Sequence, residues 1–511
     1  MKSSLPDDLG NIDALYDQLL SDETFVETKC YEEVLKQDNF WIIGRKGVGK
    51  TALARMIPER EEDNPRWDYI YLANSPDVYF NDLSSDIKNN ESLKRISQPD
   101  LMFQLWEHFI LENCMKIVLK EVVKSPYTGE ASIIYKYLKS VGQADLDCIS
   151  SMSTFFGAMI ELMLPAITAD VTSIKLGSGE KLQTYFNERH NYRNAVKALK
   201  VLMIDNDYKI LFLIDDLDEN LEGEIDKELV FDFVLQLLEV VKEFNFAVRG
   251  KWNGIDRKHL SVKCFVPTDL YSWLALRHVD KARAHKYELN WDKDELQSML
   301  RKRLAELCKV GKMPFDEIMH KYFCEGIHDT FGKSREIYSY IIENTFGRPR
   351  DIMNLYIKLS PVLGKGDFSL EVGNKAIVDY ISNTVLTIIG EYKFVQPFLA
   401  DILDSFEKKN AVCSYEDIRG LVADKTDSIS LDPSKLKKII DQLYEIGVFG
   451  ILGSIPSFPF MPIHSWDVEY CYDRRRTSIK KLETFVFHPI FRAEYSMIDN
   501  STKYLKGLRR Q

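Results

Sequence analysis

The sequence predicts an α/β fold built on a parallel sheet, and three stretches of the chain carry that prediction. Residues 39–51 set an apolar run, Phe40–Ile43, directly before Gly44-x4-Gly49-Lys50-Thr51, and a helical segment, Ala52–Ile57, directly after it. Residues Ile210–Ile214 (Ile-Leu-Phe-Leu-Ile) lack any alternation, which is the pattern of a central strand covered on both faces. Ser261–Pro267 is a third apolar stretch of strand character. Such strands, separated by long helical segments, are joined by crossovers rather than hairpins, and crossovers make a sheet parallel.

The first stretch has the spelling of a phosphate-binding loop. Its glycines let the backbone wrap an anion with N–H groups, and the following helix aims its positive end at the same charge. The cradle comprises Gly44, Arg45, Lys46, Gly47, Val48, Gly49, Lys50 and Thr51. In this pattern Lys50 reaches the β- and γ-phosphates and the Thr51 hydroxyl ligates Mg²⁺. Pro58 is expected to stop the helix.

The second stretch continues Asp215-Asp216-Leu217-Asp218-Glu219. A carboxylate at the end of a buried strand, about 165 residues after the loop, is a Walker B arrangement, in which Asp215 holds the Mg²⁺ hydration shell. Asp216 is then the group that orients the attacking water. Asp218 and Glu219 read first as caps of the loop entering the next helix, and otherwise as understudies to Asp216. Phosphoryl transfer needs positioning and charge neutralisation, so ATP and Mg²⁺ are the only cofactors required. ATP is preferred over GTP because no Asn/Thr-Lys-x-Asp base-reading motif follows the Walker B strand.

The remaining elements fill in around these. Helical spacing of apolar residues marks Asp13–Leu20 and Glu23–Leu35 before the loop, and Trp67–Leu72 reads as a second strand. Asp100–Lys124 is a long amphipathic helix, and the stretch 75–205 reads as a helical insertion, broken by a short strand at Val171–Leu176. Met152–Ala166 is apolar but carries Glu161 and Pro165 and is too short to span a bilayer, so it reads as a buried helix. Glu228–Glu243 is a helix, and Asp294–Glu306 another, with Leu296, Met299, Leu300 and Leu304 inward. Gly347-Arg348-Pro349-Arg350-Asp351 opens a further helix, with proline suited to its first turn. Helices at Asn383–Phe406, Tyr415–Val422 and Asp432–Ile446, followed by strands at 447–452 and Thr484–Pro489, make a winged-helix pattern. The domain reading is therefore 1–38 helical, 39–290 nucleotide-binding core, 291–365 helical and resembling an AAA+ lid, and 366–511 winged helix with a basic tail.

Composition narrows the classes. The net charge of −11 disfavours sequence-blind adhesion to DNA by the molecule as a whole. From Asp473 to Gln511, however, ten Lys/Arg face four acids, a local +6 that leaves −17 elsewhere. With Lys435, Lys437 and Lys438 on the third helix of the winged-helix pattern, this tail leaves nucleic acid open as a partner beside a plainly solvated end. The eight scattered cysteines form no C-x-x-C pair, and no Cys/His spacing suits zinc, which points to a reducing cytoplasm. His464 and His488 read as structural. No apolar signal segment opens the chain, and no membrane association is expected.

Together, the two Walker motifs, the strand Ser261–Pro267, the Gly-Arg-Pro-Arg helix start and the winged-helix pattern resemble the bacterial AAA+ and STAND-like P-loop ATPases, near their KAP and origin-recognition branches. That resemblance implies a sensor 1 residue at Thr268 or Asp269, although a turn or cap role fits the pair equally. It also implies a sensor 2 arginine at Arg350, with a solvated helix-start arginine as the alternative. It implies ATP-driven switching, a homo-oligomer or a separate effector protein, and a role in defence against phage or mobile DNA. The Asp215-Asp216 ending departs from the Asp-Glu of many members and implies slow hydrolysis or use of another carboxylate. Arg277, Arg283, Arg301 and Arg303 are the candidates for an arginine finger.

Overall fold

The computed structural model describes residues 6–36, 39–62, 65–73, 99–123, 125–146, 179–215, 217, 227–246, 258–277, 285–322, 327–328, 334–363, 369–393, 396–426, 433–454, 463, 467–471 and 483–508. These form two compact units. One comprises Lys29–Arg45 and Lys50–Leu289; the other comprises Met1–Thr28, Lys46–Gly49 and Asn290–Gln511.

The first unit is a five-stranded sheet clad in helices. Its strands are β1 (Trp41–Gly44), β2 (Tyr69–Ala73), β3 (Ile210–Ile214), β4 (Leu260–Pro267) and β5 (Lys286–Glu288). They lie in the order β2-β3-β4-β1-β5, and every neighbouring pair is parallel. The helices are α1 (Lys29–Leu35), α2 (Lys50–Arg60), α3 (Pro99–Glu121), α4 (Gly129–Ser140), α5 (Gly179–Asp205), α6 (Lys227–Phe246) and α7 (Thr268–Arg277). All five residues of β3 are buried, as its unbroken apolar run requires, and all eight of β4 are buried too, with Ser261 donating to Asn245 Oδ1 at 2.8 Å and Lys263 Nζ to the Asn39 carbonyl at 2.6 Å. On one face Ile210, Phe212, Ile214, Val262, Cys264 and Val266 join a single cluster with the apolar sides of α3 to α6. Trp106 anchors that layer: its indole donates to the Phe233 carbonyl at 3.0 Å while its ring packs on Phe233. Pro58 does not stop α2, which runs on to Arg60. A proline loses its own N–H bond and crowds the carbonyl four residues back, but it bars no later donor, and Glu61 N–H still closes the last turn on the Ile57 carbonyl at 3.0 Å.

The second unit holds α8 (Lys293–Leu307), α9 (Phe315–Tyr322), a two-stranded ribbon of β6 (Ile327–His328) and β7 (Ser334–Arg335), α10 (Ile337–Glu343), α11 (Pro349–Leu363), α12 (Leu370–Ala376), α13 (Val378–Tyr392) and α14 (Leu399–Asp404). It continues with β8 (Val412–Ser414), α15 (Tyr415–Thr426), α16 (Pro433–Ile446), β9 (Phe449–Leu452), β10 (Val468–Glu469), β11 (Thr484–Phe487), α17 (Pro489–Glu494) and α18 (Ser501–Leu508). Its four-stranded antiparallel sheet runs β10-β9-β11-β8. One large buried cluster extends from Leu296 on α8 to Phe491 on α17, beside a smaller one of Ala411, Val412, Ile463 and Val486. Asp292 caps α8 in a reciprocal box with Glu295, and Leu296, Met299, Leu300 and Leu304 face inward as their spacing predicts.

Two expected helices come out differently. Asn383–Phe406 is divided into α13 and α14, because Pro397 has no N–H and biases the residue before it away from helix. Asp13–Leu20 is a chain of turns, and of Glu23–Leu35 only α1 is helical. The reason is a run of carboxylates and amides that bond their own backbone. Asp8 accepts from Gly10 N–H, Asn11 from Asp13 N–H, Asp13 from Leu15 N–H and Asp17 from Leu19 N–H. Such bonds compete directly with the helical ladder. The turns are pinned to α8 by Arg303, which donates to Asp17 Oδ2 at 2.7 Å and to the Leu9 carbonyl at 2.6 Å.

The expected strand Val171–Leu176 and helix Met152–Ala166 lie outside the described residues. Among the described residues, no helix is long and apolar enough to cross a membrane.

Candidate functional site

In the sheet unit the loop leaves the C-terminal end of β1 and runs into α2. Lys50 opens α2 and is only 8% exposed; its Nζ donates to the Gly44 carbonyl at 3.0 Å and to Arg45 at 3.4 Å. The ammonium is therefore folded over the first turn of the loop, with the half-buried Thr51 next to it in the helix. Asp215 directly follows β3 and is fully buried, its N–H donating to the Ala73 carbonyl at the end of β2 at 3.1 Å. Ile214 pairs with Cys264 and Gly44 with Pro267, so the loop and Asp215 leave the same edge of the sheet with β4 between their strands. Two strand spacings are about 10 Å. Burial, and then the neighbouring Asp215 charge, push the Cys264 thiol well above its ordinary pKa. Thr268 follows Pro267, the residue paired with Gly44, and opens α7 with Asp269 in its first turn. The C-terminal edge of a parallel sheet is where open α/β folds bind ligands.

The tip of the loop, Lys46–Gly49, clusters with the second unit. Gly47 and Gly49 adopt φ of +78° and +97°, which side chains rarely tolerate. Gly47 is also crowded: a Cβ there would stand 2.9 Å from Arg350 Cβ. Three successive carbonyls of the tip accept hydrogen bonds. Arg348 Nη1 donates to Lys46 at 2.9 Å, Arg350 N–H to Gly47 at 3.3 Å, and Trp291 Nε1 to Val48 at 2.7 Å. Arg348 is buried and also donates to Asp351 from Nε (2.8 Å) and Nη2 (2.9 Å), and to Glu391 at 3.3 Å. Burial disfavours its charge, but the Asp351 and Glu391 carboxylates outweigh that and hold the guanidinium above the ordinary arginine range.

Of the residues named from the sequence, Gly44, Arg45, Lys50, Thr51, Asp215 and Thr268 come to one edge of one sheet. Arg350 is half-buried against Gly47, at the loop tip. Asp216, Asp218, Glu219 and Arg283 lie outside the described residues, as do the side chain of Arg277 and, in the basic tail, residues 474–481, 509 and 510. Arg303 is buried on Asp17 and Leu9, which removes it as an arginine finger, whereas Arg301 is half-buried. Two contributors to the loop carry no assigned role in the sequence reading: Arg348, whose inward turn depends on Asp351 and on the sequence-distant Glu391, and Trp291, signalled only as the large side chain just ahead of the Asp292–Glu295 capping box.

No protein-family model matches the chain, and a comparison with curated proteins finds no match either. A comparison with solved structures returns Cdc6p from Pyrobaculum aerophilum. It shares 11% identity, with 96% of this chain and 98% of that chain covered, at a TM-score of 0.26. A likeness that loose carries no argument, so function rests on the loop and the sheet edge.

Proposed function

We propose that this chain is a Mg²⁺-dependent ATPase that uses nucleotide to drive a conformational or assembly switch. The observation that supports it best is the glycine-rich loop between β1 and α2, with Lys50 folded over its first turn and buried Asp215 two strands along the same edge. The donor set fits a triphosphate and its divalent cation: backbone amides, an ammonium, a hydroxyl and a buried carboxylate. Lys50 would exchange the Gly44 and Arg45 carbonyls for β- and γ-phosphate oxygens. Thr51 and Asp215 would hold Mg²⁺, which supplies charge neutralisation of the phosphates. Asp216 would orient the attacking water, Thr268 would report the γ-phosphate from the end of β4, and Arg350 would meet the nucleotide from the start of α11. The β8–α15–α16–β9–β11 segment serves as a winged helix in this reading, and 291–365 as a lid. The biological setting that goes with it is cytoplasmic defence against phage or mobile DNA, through self-assembly or a separate effector.

Turnover assays test the assignment. Lys50→Ala is expected to abolish nucleotide binding, and Asp216→Asn to retain ATP without releasing phosphate. Wild-type turnover in both variants rejects these roles for Lys50 and Asp216.

One observation favours a second reading, a nucleic-acid-binding module whose nucleotide site is mainly structural: Lys435, Lys437 and Lys438 are all exposed on α16. A salt-dependent binding assay with duplex and single-stranded DNA, using the wild type and a Lys435→Ala/Lys437→Ala/Lys438→Ala variant, decides it; no binding at low salt ends that reading.

A further inference from the structure

The peptide group is planar and trans, so the carbonyl of one residue and the N–H of the next point in opposite directions. Each donor that holds the carbonyl of Lys46, Gly47 or Val48 therefore turns the N–H of the next residue, Gly47, Val48 or Gly49, away from itself, and all three donors come from the segment 291–350. Successive N–H groups turned the same way form a nest for an anion. Two of the three donors are side chains, and neither reaches the loop by accident of surface packing. The Trp291 ring lies 3.9 Å from where a Gly49 Cβ would stand, so the indole closes over the glycine it leaves room for. Arg348 is fixed from behind by Asp351 and Glu391. Its guanidinium lies 5.5 Å over the Phe346 ring, and that ring stacks on His488 at 4.3 Å and 14°. His488 Nε2 meets the Thr345 carbonyl at 3.2 Å, so the turn that grips Lys46 is braced by the residue joining β11 to α17.

We propose that Trp291 and Arg348 are positioning residues of the phosphate site, holding the loop carbonyls outward so that its amides converge on the nucleotide's phosphates. The phosphate part of this inference rests on the nucleotide reading above; the loop-holding part does not.

The test uses the full-length protein and two readouts. One is amide hydrogen exchange in the peptide covering residues 44–51, without nucleotide; the other is the calorimetric affinity for MgATP. Trp291→Phe removes the donor and keeps most of the ring. Exchange in the loop peptide is expected to quicken, and MgATP affinity to fall, each by roughly fivefold, the loss of about one neutral hydrogen bond. The thermal midpoint without ligand should stay within about 2 °C, since one neutral hydrogen bond, about 1 kcal/mol, is small beside the stability of a chain of 511 residues. Arg348→Lys keeps a charge opposite Asp351 and Glu391 with a single-point donor in place of the fork, and should shift both readouts the same way. Unchanged loop exchange in both variants overturns the proposal whether or not MgATP binds. So does faster exchange spread over the whole second unit with a lowered midpoint, which is the mark of a purely structural role. Faster loop exchange in a chain whose wild type binds no MgATP retires the nucleotide reading and leaves the loop-holding role standing.

Discussion

Replacing Gly47 by alanine separates two physical demands made on the same residue. At φ +78° an alanine carries a backbone penalty of about 1–2 kcal/mol. Its Cβ would also stand 2.9 Å from Arg350 Cβ and 3.1 Å from Arg350 Cδ, well inside an ordinary carbon–carbon contact of about 3.5–4.0 Å. Neither side retreats easily. The loop is tied to Trp291 and Arg348, and α11 is tied through Asp351 to Arg348 and to the Phe346 N–H. Overpacking of this kind costs about 1–3 kcal/mol. The sum is about 3 kcal/mol, or roughly a 100-fold loss if it falls wholly on nucleotide affinity. A double-mutant cycle with Arg350→Gly, which removes the facing Cβ, isolates the steric part. Calorimetric MgATP affinity and urea unfolding, measured for all four proteins, should show the Gly47→Ala penalty reduced by about 1–3 kcal/mol in the Arg350→Gly background. Additive effects would refute the reasoning, because the crowding would then contribute nothing.

Other expectations follow from the same geometry. Asp17→Ala strands the buried Arg303 guanidinium and should lower the urea stability of the second unit by about 3–5 kcal/mol; a loss under about 1 kcal/mol contradicts a buried ion pair there. Tyr137→Phe removes a 2.5 Å hydroxyl donor from the buried Glu112 carboxylate and should lower the thermal midpoint, with a cost of about 1.5–3 kcal/mol. Burial, aided by Asp417, raises the Cys413 thiol from 9.0 to about 12. The folded state thus keeps a proton the unfolded state gives up, so this contribution is whole below about pH 9 and lost as pH rises towards 12. Urea stability should fall from pH 8 to pH 10.5, and fall less in Cys413→Ala.

Some of this was written plainly in the chain. Strands β1 and β3 are legible because a strand covered on both faces cannot hide its apolar run, β4 because its apolar residues outweigh the buried Ser261 and Lys263, and the loop because positive φ demands glycine at 47 and 49. The turns of the N-terminal segment were not, since the apolar spacing of Asp13–Leu20 is compatible with a helix until the Asx bonds are counted. Pro397 could have divided Asn383–Phe406 on local rules alone. The division of labour in Gly347-Arg348-Pro349-Arg350 was beyond local reading. Which arginine turns inward depends on Asp351 one turn on and on Glu391, which is 43 residues away in sequence.

The most direct test of the central claim is a calorimetric titration of the full-length protein with MgATP, repeated on Lys50→Ala and Asp215→Asn. The account predicts saturable binding by the wild type, none by Lys50→Ala, and a loss of the Mg²⁺ dependence in Asp215→Asn. Equal binding by all three proteins, or none by the wild type, would contradict it.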